Sequence, residues 1–365
     1  MLRYYKGAIV FTVLSLALAA WLGFAQTGTA AGVLGVVWVV LVLGVLEISL
    51  SFDNAIVNAT VLRGMAPVWR QRFLLWGIII AVFGMRLVFP LAIVAIAAHV
   101  GPIDAVRLAA SDPATYQRLI TGAHTGIAGF GGAFLAMVGL TFFLNEEKDV
   151  HWIALLERPL GALAQVSGLA IAIVLAVLYA ISRLLPAGEA MTYLTAGIFG
   201  LIAFVVVDAL GDVIGGGADV EEDEAPGTGV GAATVAKAGL GAFLYLEMLD
   251  ASFSFDGVIG AFALSNNLFI IALGLGIGAM FVRSMTVMLV EQGTLAQYAY
   301  LEHGAFYAIL ALAGIMLVSP RFEVPDAVTG LVGAGLIGLA FWSSVRHKGD
   351  TVEPVEPTGE RFTGR

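Results

Sequence analysis

Residues 47–59 read EISLSFDNAIVNA, and residues 250–262 read DASFSFDGVIGAF. In both segments an acid is followed two residues later by Ser, and then by Ser-Phe-Asp. Each segment lies within a long apolar run, the first over residues 31–62 and the second over residues 231–264. Polar motifs that recur in two apolar runs indicate an internal duplication in a membrane protein, and this duplication decides the expected fold.

Composition supports a membrane protein and excludes a soluble globular enzyme. The chain has 365 residues, of which 59% are hydrophobic and 12% are charged, whereas a soluble domain has about 25% charged residues. The sequence contains no cysteine. Disulfides, thiolate ligands and cysteine nucleophiles are therefore excluded, and a bound metal would need oxygen or imidazole ligands.

Apolar runs of about 20 residues, the length that crosses a bilayer, predict an all-α polytopic bundle of about ten spans. The predicted spans cover residues 7–24, 31–62, 73–99, 121–144, 160–184, 190–210, 231–264, 267–290, 303–319 and 327–345. The second and seventh spans are longer than a bilayer requires, so we expect both helices to be bent or broken. Asn54 and Gly257 are the expected positions of the breaks.

The two motifs divide the ten spans into two repeats of five. An odd number of spans gives the second repeat the opposite orientation, so we expect inverted repeats. The predicted units are a first repeat (1–184), a connecting span that starts the second repeat (185–214), an acidic Gly-rich linker (215–230), the rest of the second repeat (231–345) and a disordered tail (346–365).

The linker holds five acids of a chain with net charge -9. The net charge therefore gives no reason to expect nucleic acid as a partner.

Basic residues in the loops predict the orientation. A cytoplasmic N-terminus places eleven of the 18 basic residues inside and four outside, and the remaining three fall within predicted spans. We therefore expect a multi-pass protein of the inner (plasma) membrane with both termini in the cytoplasm.

Residues 1–24 could alternatively form a cleaved signal peptide. The oligomeric state is not determined by the sequence.

Four acids fall near the centres of the two long spans: Glu47, Asp53, Asp250 and Asp256. Each would cost about 2.5–3.5 kcal/mol in the bilayer centre if unpaired, on the order of 10–14 kcal/mol together. Arg86 and Arg283 lie in the spans that follow and could act in gating or in structural pairing. One interpretation is that the acids only neutralise these arginines. However, four acids and two arginines leave two negative charges, which one divalent cation would balance.

Hydroxyl, amide and further acidic side chains accompany these acids at helical spacing. The pairs four residues apart are Glu47 with Ser51, Ser49 with Asp53, Asp250 with Ser254, and Ser252 with Asp256, and Asn54 and Glu247 lie beside them. Residues four apart share a helix face. This all-oxygen set suits a hard cation such as Mn²⁺, Ca²⁺ or Mg²⁺, as a bound or transported ion, and no organic cofactor is expected.

The segments EISLSFDNAIV (47–57) and EMLDASFSFDGV (247–258) resemble the paired signature of the TerC family of integral membrane proteins. The additional spans resemble its DUF475 branch, within the wider group of lysine-exporter-like transporters. The resemblance covers most of residues 31–319. It implies manganese export or tellurium resistance, and it implies roles for the acids that match the family's acidic positions, namely Glu47, Asp53, Glu247, Asp250 and Asp256.

Together these features predict a transporter, not an enzyme. The expected function is secondary transport of a divalent cation, Mn²⁺ before others, outward by alternating access and with a possible return of protons on the same carboxylates. One alternative is a membrane-embedded metal-binding scaffold, a metalation or tellurite-stress factor without transport. A metal-dependent membrane hydrolase is another, although the sequence has neither an HExxH nor a GxSxG motif. An amino-acid exporter would need cavity arginines that are free to hold a substrate carboxylate.

Overall fold

The computed structural model describes residues 2–145, 150–163, 165–166, 168–215, 239–322 and 324–351. Within these ranges every regular element is helical, which confirms the all-α prediction. The Asp256 side chain lies outside the described part, although its backbone belongs to a helix.

The first half of the chain forms ten α-helices and one π-helical segment within the described residues. They are α1 (Leu2–Thr27), α2 (Ala30–Leu50), α3 (Phe52–Gly64), α4 (Pro67–Ile79), the π-helical segment (Ile80–Val88), α5 (Phe89–Ala98), α6 (Pro102–Ser111), α7 (Pro113–Gly122), α8 (His124–Phe143), α9 (Ala154–Ala162) and α10 (Leu169–Ser182). The second half forms α11 (Ala187–Gly215), α12 (Leu240–Ala261), α13 (Leu268–Glu291), α14 (Thr294–Gln297), α15 (Leu301–Val318) and α16 (Asp326–Thr351).

Seven of the described helical stretches are long and apolar enough to cross a membrane. They are α1, α2, α8, residues Ala187–Leu210 of α11, α13, α15 and residues Val328–His347 of α16. These helices indicate a membrane protein. Three of the ten predicted spans correspond to other helices: the run from α4 to α5, the 14-residue α10 and the acid-containing α12. Ten spans therefore stay a prediction.

The second predicted span is broken, as expected, but at Ser51 and not at Asn54. Ser51 has φ -102° and ψ 20°, and it ends α2 and precedes α3. The seventh span differs, because α12 is a continuous helix of 22 residues and the predicted break at Gly257 is wrong. Gly257 serves close packing instead, since a Cβ there would lie 3.0 Å from Glu47 Oε2.

The last helix continues into the segment predicted as a disordered C-terminal tail. Helix α16 continues to Thr351, so the expected disorder from residue 346 is wrong for the first six residues of that segment. Residues 352–365, and the acidic linker from residue 216 onward, lie outside the described residues.

Helix packing places the motif-bearing helices in the interior. Helix α13 contacts α1, α2, α3 and the π-helical segment, and α8 packs against both α11 and α15. Helix α3 contacts α12, α13, α15 and α16. The polar residues of α3 are therefore surrounded by helices from the second half of the chain.

Candidate functional site

The helix break at Ser51 gives the buried region a short polar helix. Asp53 lies in the first turn of α3, and its Oδ1 accepts a hydrogen bond of 2.9 Å from the Asn54 N–H. Asn54 and Asn58, one helical turn apart on a shared face, are both buried. The first two turns of α3 thus supply one carboxylate and two amides to the interior.

Asn54 and Asn58 line a first cavity, called here cavity A, which also has Asp250, Arg86 and Arg283 in its wall. Its volume is about 30 Å³. Asp250 Oδ1 accepts hydrogen bonds from the Asn54 amide at 2.8 Å and from the Asn58 amide at 3.0 Å. When all three charged groups are ionised, two arginines and one acid give this wall a formal charge of +1.

A buried ion pair lies between cavity A and a second cavity. The Arg86 guanidinium pairs with Glu47 Oε1, and the two side chains are 6% and 3% exposed. Ser51 donates a hydrogen bond of 3.3 Å to the same oxygen. Because Arg86 lines cavity A and Glu47 lines the second cavity, this pair occupies the boundary between them.

The second cavity, called here cavity B, has a volume of about 40 Å³. Its polar wall contains Glu47, Ser51, Asp53 and Thr329, and none of its lining residues is a lysine or arginine. With the Glu47–Arg86 ion pair counted as neutral, the ionised Asp53 gives this wall a formal charge of -1, whereas Arg283 and Asp250 cancel in the wall of cavity A. The wall of cavity B is therefore more favourable for a cation than the wall of cavity A, because unlike charges attract most strongly where the local dielectric constant is low.

Asp53 is the acid of cavity B that is not neutralised. It is 7% exposed, and no basic side chain in the described part of the chain pairs with it. A buried carboxylate without a counter-charge is costly. An ionised Asp53 would therefore be stabilised by a cation in the adjoining cavity.

The sizes of the two cavities limit the class of ligand. Cavities of about 30 and 40 Å³ have room for about one or two water-sized species. Pockets for organic ligands measure roughly 300–1,000 Å³. Neither cavity fits an amino acid, whereas both fit a single ion or water molecule.

The predicted ligands are divided between the two cavities. Glu47, Ser51 and Asp53 line cavity B, while Ser51, Asn54 and Asp250 line cavity A. No group of three or more acidic or histidine side chains suited to hold a metal forms among the described residues. Convergence of five acids in one pocket is therefore not found in this part of the chain.

Other predicted ligands lie near the cavities but do not line them. Ser49 is exposed and donates to the Val45 carbonyl at 2.8 Å, and Ser252 donates to the Met248 carbonyl at 2.9 Å. Among the described residues, the buried hydroxyl of Ser254 and both carboxylate oxygens of Glu247 have no hydrogen-bond partner. The predicted pairing of Ser49 with Asp53 fails because the helix is interrupted at Ser51 between them. The pairing of Ser252 with Asp256 involves a side chain outside the described residues.

The lining residues that were not predicted from the sequence include Asn58, Thr329 and Gly333. Asn58 carries a detectable signal, because it lies four residues after Asn54 and shares its helix face. Thr329 and Gly333 belong to the last helix, which has no acidic motif near them. Only the packing of α16 against α2 and α3 brings them to the acids.

A separate polar cluster surrounds Glu157, which is 1% exposed. Its Oε1 accepts hydrogen bonds from the backbone N–H groups of Trp152 and Ile153 at 3.2 and 3.0 Å. Tyr307 donates to the same oxygen at 3.3 Å, and His303 lies 3.5 Å from Oε2. These contacts connect α9 to the start of α15, and they indicate a structural role for Glu157.

Comparison with known proteins identifies a family. The family described as "Protein of unknown function (DUF475)" matches residues 52–350. No curated protein and no solved structure matches the chain.

Proposed function

Since the matched region covers most of its length, the chain belongs to the DUF475 family, and we propose that it is a secondary transporter that exports a divalent metal cation, with Mn²⁺ as the first candidate. The observation that carries the proposal is cavity B. It is a water-sized space with two buried acids in its wall and no basic residue among its lining residues. Carboxylate and hydroxyl oxygens are the ligands that hard divalent cations prefer.

The proposal includes two inverted five-span repeats that move relative to each other around the cation. The duplicated acidic motif supports this arrangement. In two repeats of five, the second span corresponds to the seventh and the fourth to the ninth. The helix contacts follow this correspondence, because α3 of the second span contacts α15 of the ninth, and α12 of the seventh span contacts α8 of the fourth. Alternating access would then expose the cavities to either side in turn. Protons taken up by the emptied carboxylates would complete the cycle.

The same proposal places the chain in the inner (plasma) membrane with both termini in the cytoplasm and relates it to TerC proteins and lysine-exporter-like transporters. The excess of basic residues on one side supports the orientation. The two acidic motifs, at residues 47–57 and 247–258, support the relationship. The outward direction of transport rests on that relationship alone.

A flux assay tests the proposal. Purified full-length protein is reconstituted into liposomes loaded with Mn²⁺, a pH gradient is applied, and the release of Mn²⁺ is measured. We expect flux from the natural chain and its loss in Asp53→Asn and Asp53→Asn/Asp256→Asn variants. Asp104→Asn is the matched control, because Asp104 is an exposed acid paired with Arg107. Flux that survives in the double variant would refute the assignment.

The assay also separates a transporter from a metal-binding scaffold. A scaffold would bind Mn²⁺ with the same acids and would show no flux. Binding without flux in the natural chain would therefore replace the transporter proposal by the scaffold function.

A further inference from the structure

The last helix, α16, forms one wall of cavity B, although the sequence motifs include none of its residues. Thr329 and Gly333 lie four residues apart and both line this cavity. Residues at this spacing share a helix face. Helix α16 contacts both α2 and α3, the two helices that supply Glu47 and Asp53.

Gly333 leaves open the space next to Asp53. A Cβ at position 333 would lie 3.6 Å from Asp53 Oδ2 and 3.9 Å from the Ala308 Cβ, which are ordinary van der Waals distances. A methyl group would therefore fit without distorting the helix. However, a methyl group is about as large as a water molecule, and cavity B has a volume of about 40 Å³. An added methyl group would fill much of the space that an ion needs.

Thr329 contributes the hydroxyl group of this wall. Its side chain is half-buried. Asp53 Oδ2 lies on the same side of the cavity, next to Gly333. Thr329 and Asp53 thus line one water-sized space, and hydroxyl and carboxylate oxygens are ligands of the kind that hard cations bind.

We propose that Thr329 and Gly333 make cavity B a site for a largely dehydrated divalent cation and so select Mn²⁺ or Ca²⁺ over Mg²⁺. Thr329 supplies a ligand, and Gly333 supplies the room beside Asp53. A space for about one or two water-sized species cannot hold an ion with a full hydration shell. Mg²⁺ loses its water reluctantly, which puts it at a disadvantage in this cavity. This inference rests on the proposed function, since it specifies the substrate of the same site.

Calorimetric titration of the full-length protein in lipid nanodiscs with MnCl₂ tests the proposal. We expect Gly333→Ala to weaken Mn²⁺ binding by at least about tenfold. Thr329→Val should weaken it by about ten- to hundredfold, the effect of losing a hydrogen-bonding or ligating group on a charge, whereas Thr329→Ser should stay within about twofold. For the natural chain, Mg²⁺ should bind at least about tenfold more weakly than Mn²⁺.

Gly335→Ala is the matched control, because Gly335 is exposed on the same helix and an added Cβ there meets no atom within 4 Å. It should bind Mn²⁺ as the natural chain does, and the melting temperatures of all four variants should agree with that of the natural chain. Unchanged Mn²⁺ binding in Gly333→Ala, or equal affinities for Mg²⁺ and Mn²⁺, would overturn the inference and leave the proposed function intact. Failure of the natural chain to bind Mn²⁺ would instead overturn both the proposed function and the inference, whereas binding without flux would overturn the transport proposal alone.

Discussion

Glu47 uses its two carboxylate oxygens for different contacts. Oε1 accepts hydrogen bonds from Arg86 and Ser51, while Oε2 lies near Gly257 in the wall of cavity B. The arginine thus neutralises the acid and at the same time holds one oxygen away from the cavity. The contacts at Oε1 therefore fix the orientation of the Glu47 carboxylate and leave Oε2 on the side of Gly257.

Arg86→Gln should destabilise the protein by about 3–5 kcal/mol, because it leaves the buried Glu47 carboxylate without its counter-charge. The double variant Glu47→Gln/Arg86→Gln should recover a large part of this loss, since it removes both charges. Unfolding of the purified protein in detergent measures both effects. A double variant that is less stable than Arg86→Gln would contradict the assignment of this pair.

Asn58→Leu should destabilise the protein by about 1.5–3 kcal/mol, the value of a hydrogen bond to a charged group. Asn58 donates one of the two amide hydrogen bonds that Asp250 Oδ1 accepts. Thr60→Val is a suitable control, because Thr60 lies in the same helix and donates to the Ile56 carbonyl instead. Equal unfolding free energies for the two variants would show that the Asn58 contact contributes nothing specific.

Helices α2 and α13 approach closely at Gly278, so Gly278→Ala should be strongly destabilising. A Cβ at position 278 would overlap with the Cβ of Glu47 and lie 3.1 Å from the Gly44 carbonyl oxygen. Backbone and Cβ atoms cannot move aside as a flexible side chain can, and overpacking costs about 1–3 kcal/mol or more. Gly35→Ala, in open space on α2, should be neutral in the same unfolding measurement. A neutral Gly278→Ala would show that the two helices are not held at this distance.

The helices were easier to predict than their interruptions. Apolar length predicted the positions of the seven membrane-crossing candidates, because this property belongs to each segment alone. The break at Ser51 and the continuity of α12 at Gly257 depend on neighbours, since glycine in a helix can serve either flexibility or close approach. Thr329 could not be predicted for the same reason. It reaches the acids only through the packing of a helix whose own sequence carries no polar motif.

At the scale of the whole molecule, the number of spans decides where the termini lie. Ten spans place both termini on the same side of the membrane, whereas seven spans place them on opposite sides. The chain has no cysteine, so single cysteines introduced before Leu2, at Asp104 and in the tail at residue 357 can be labelled without background. We expect an impermeant maleimide to reach both terminal positions from the cytoplasmic side and position 104 from the other side. Labelling of the termini from opposite sides would refute ten spans.

The break at Ser51 also changes the electric field inside the membrane. The peptide dipoles of one uninterrupted helix over both segments would concentrate partial charges only at its distant ends, roughly half an elementary charge at each. Ending α2 at Leu50 and starting α3 at Phe52 sets a negative terminus and a positive terminus beside each other in the protein interior. The carbonyl end of α2 presents partial negative charge to the interior, and at the amide end of α3 the Asn54 N–H donates to Asp53 Oδ1. A single non-helical residue thereby places the partial charges of two helix termini in the interior of the protein, far from the membrane surface.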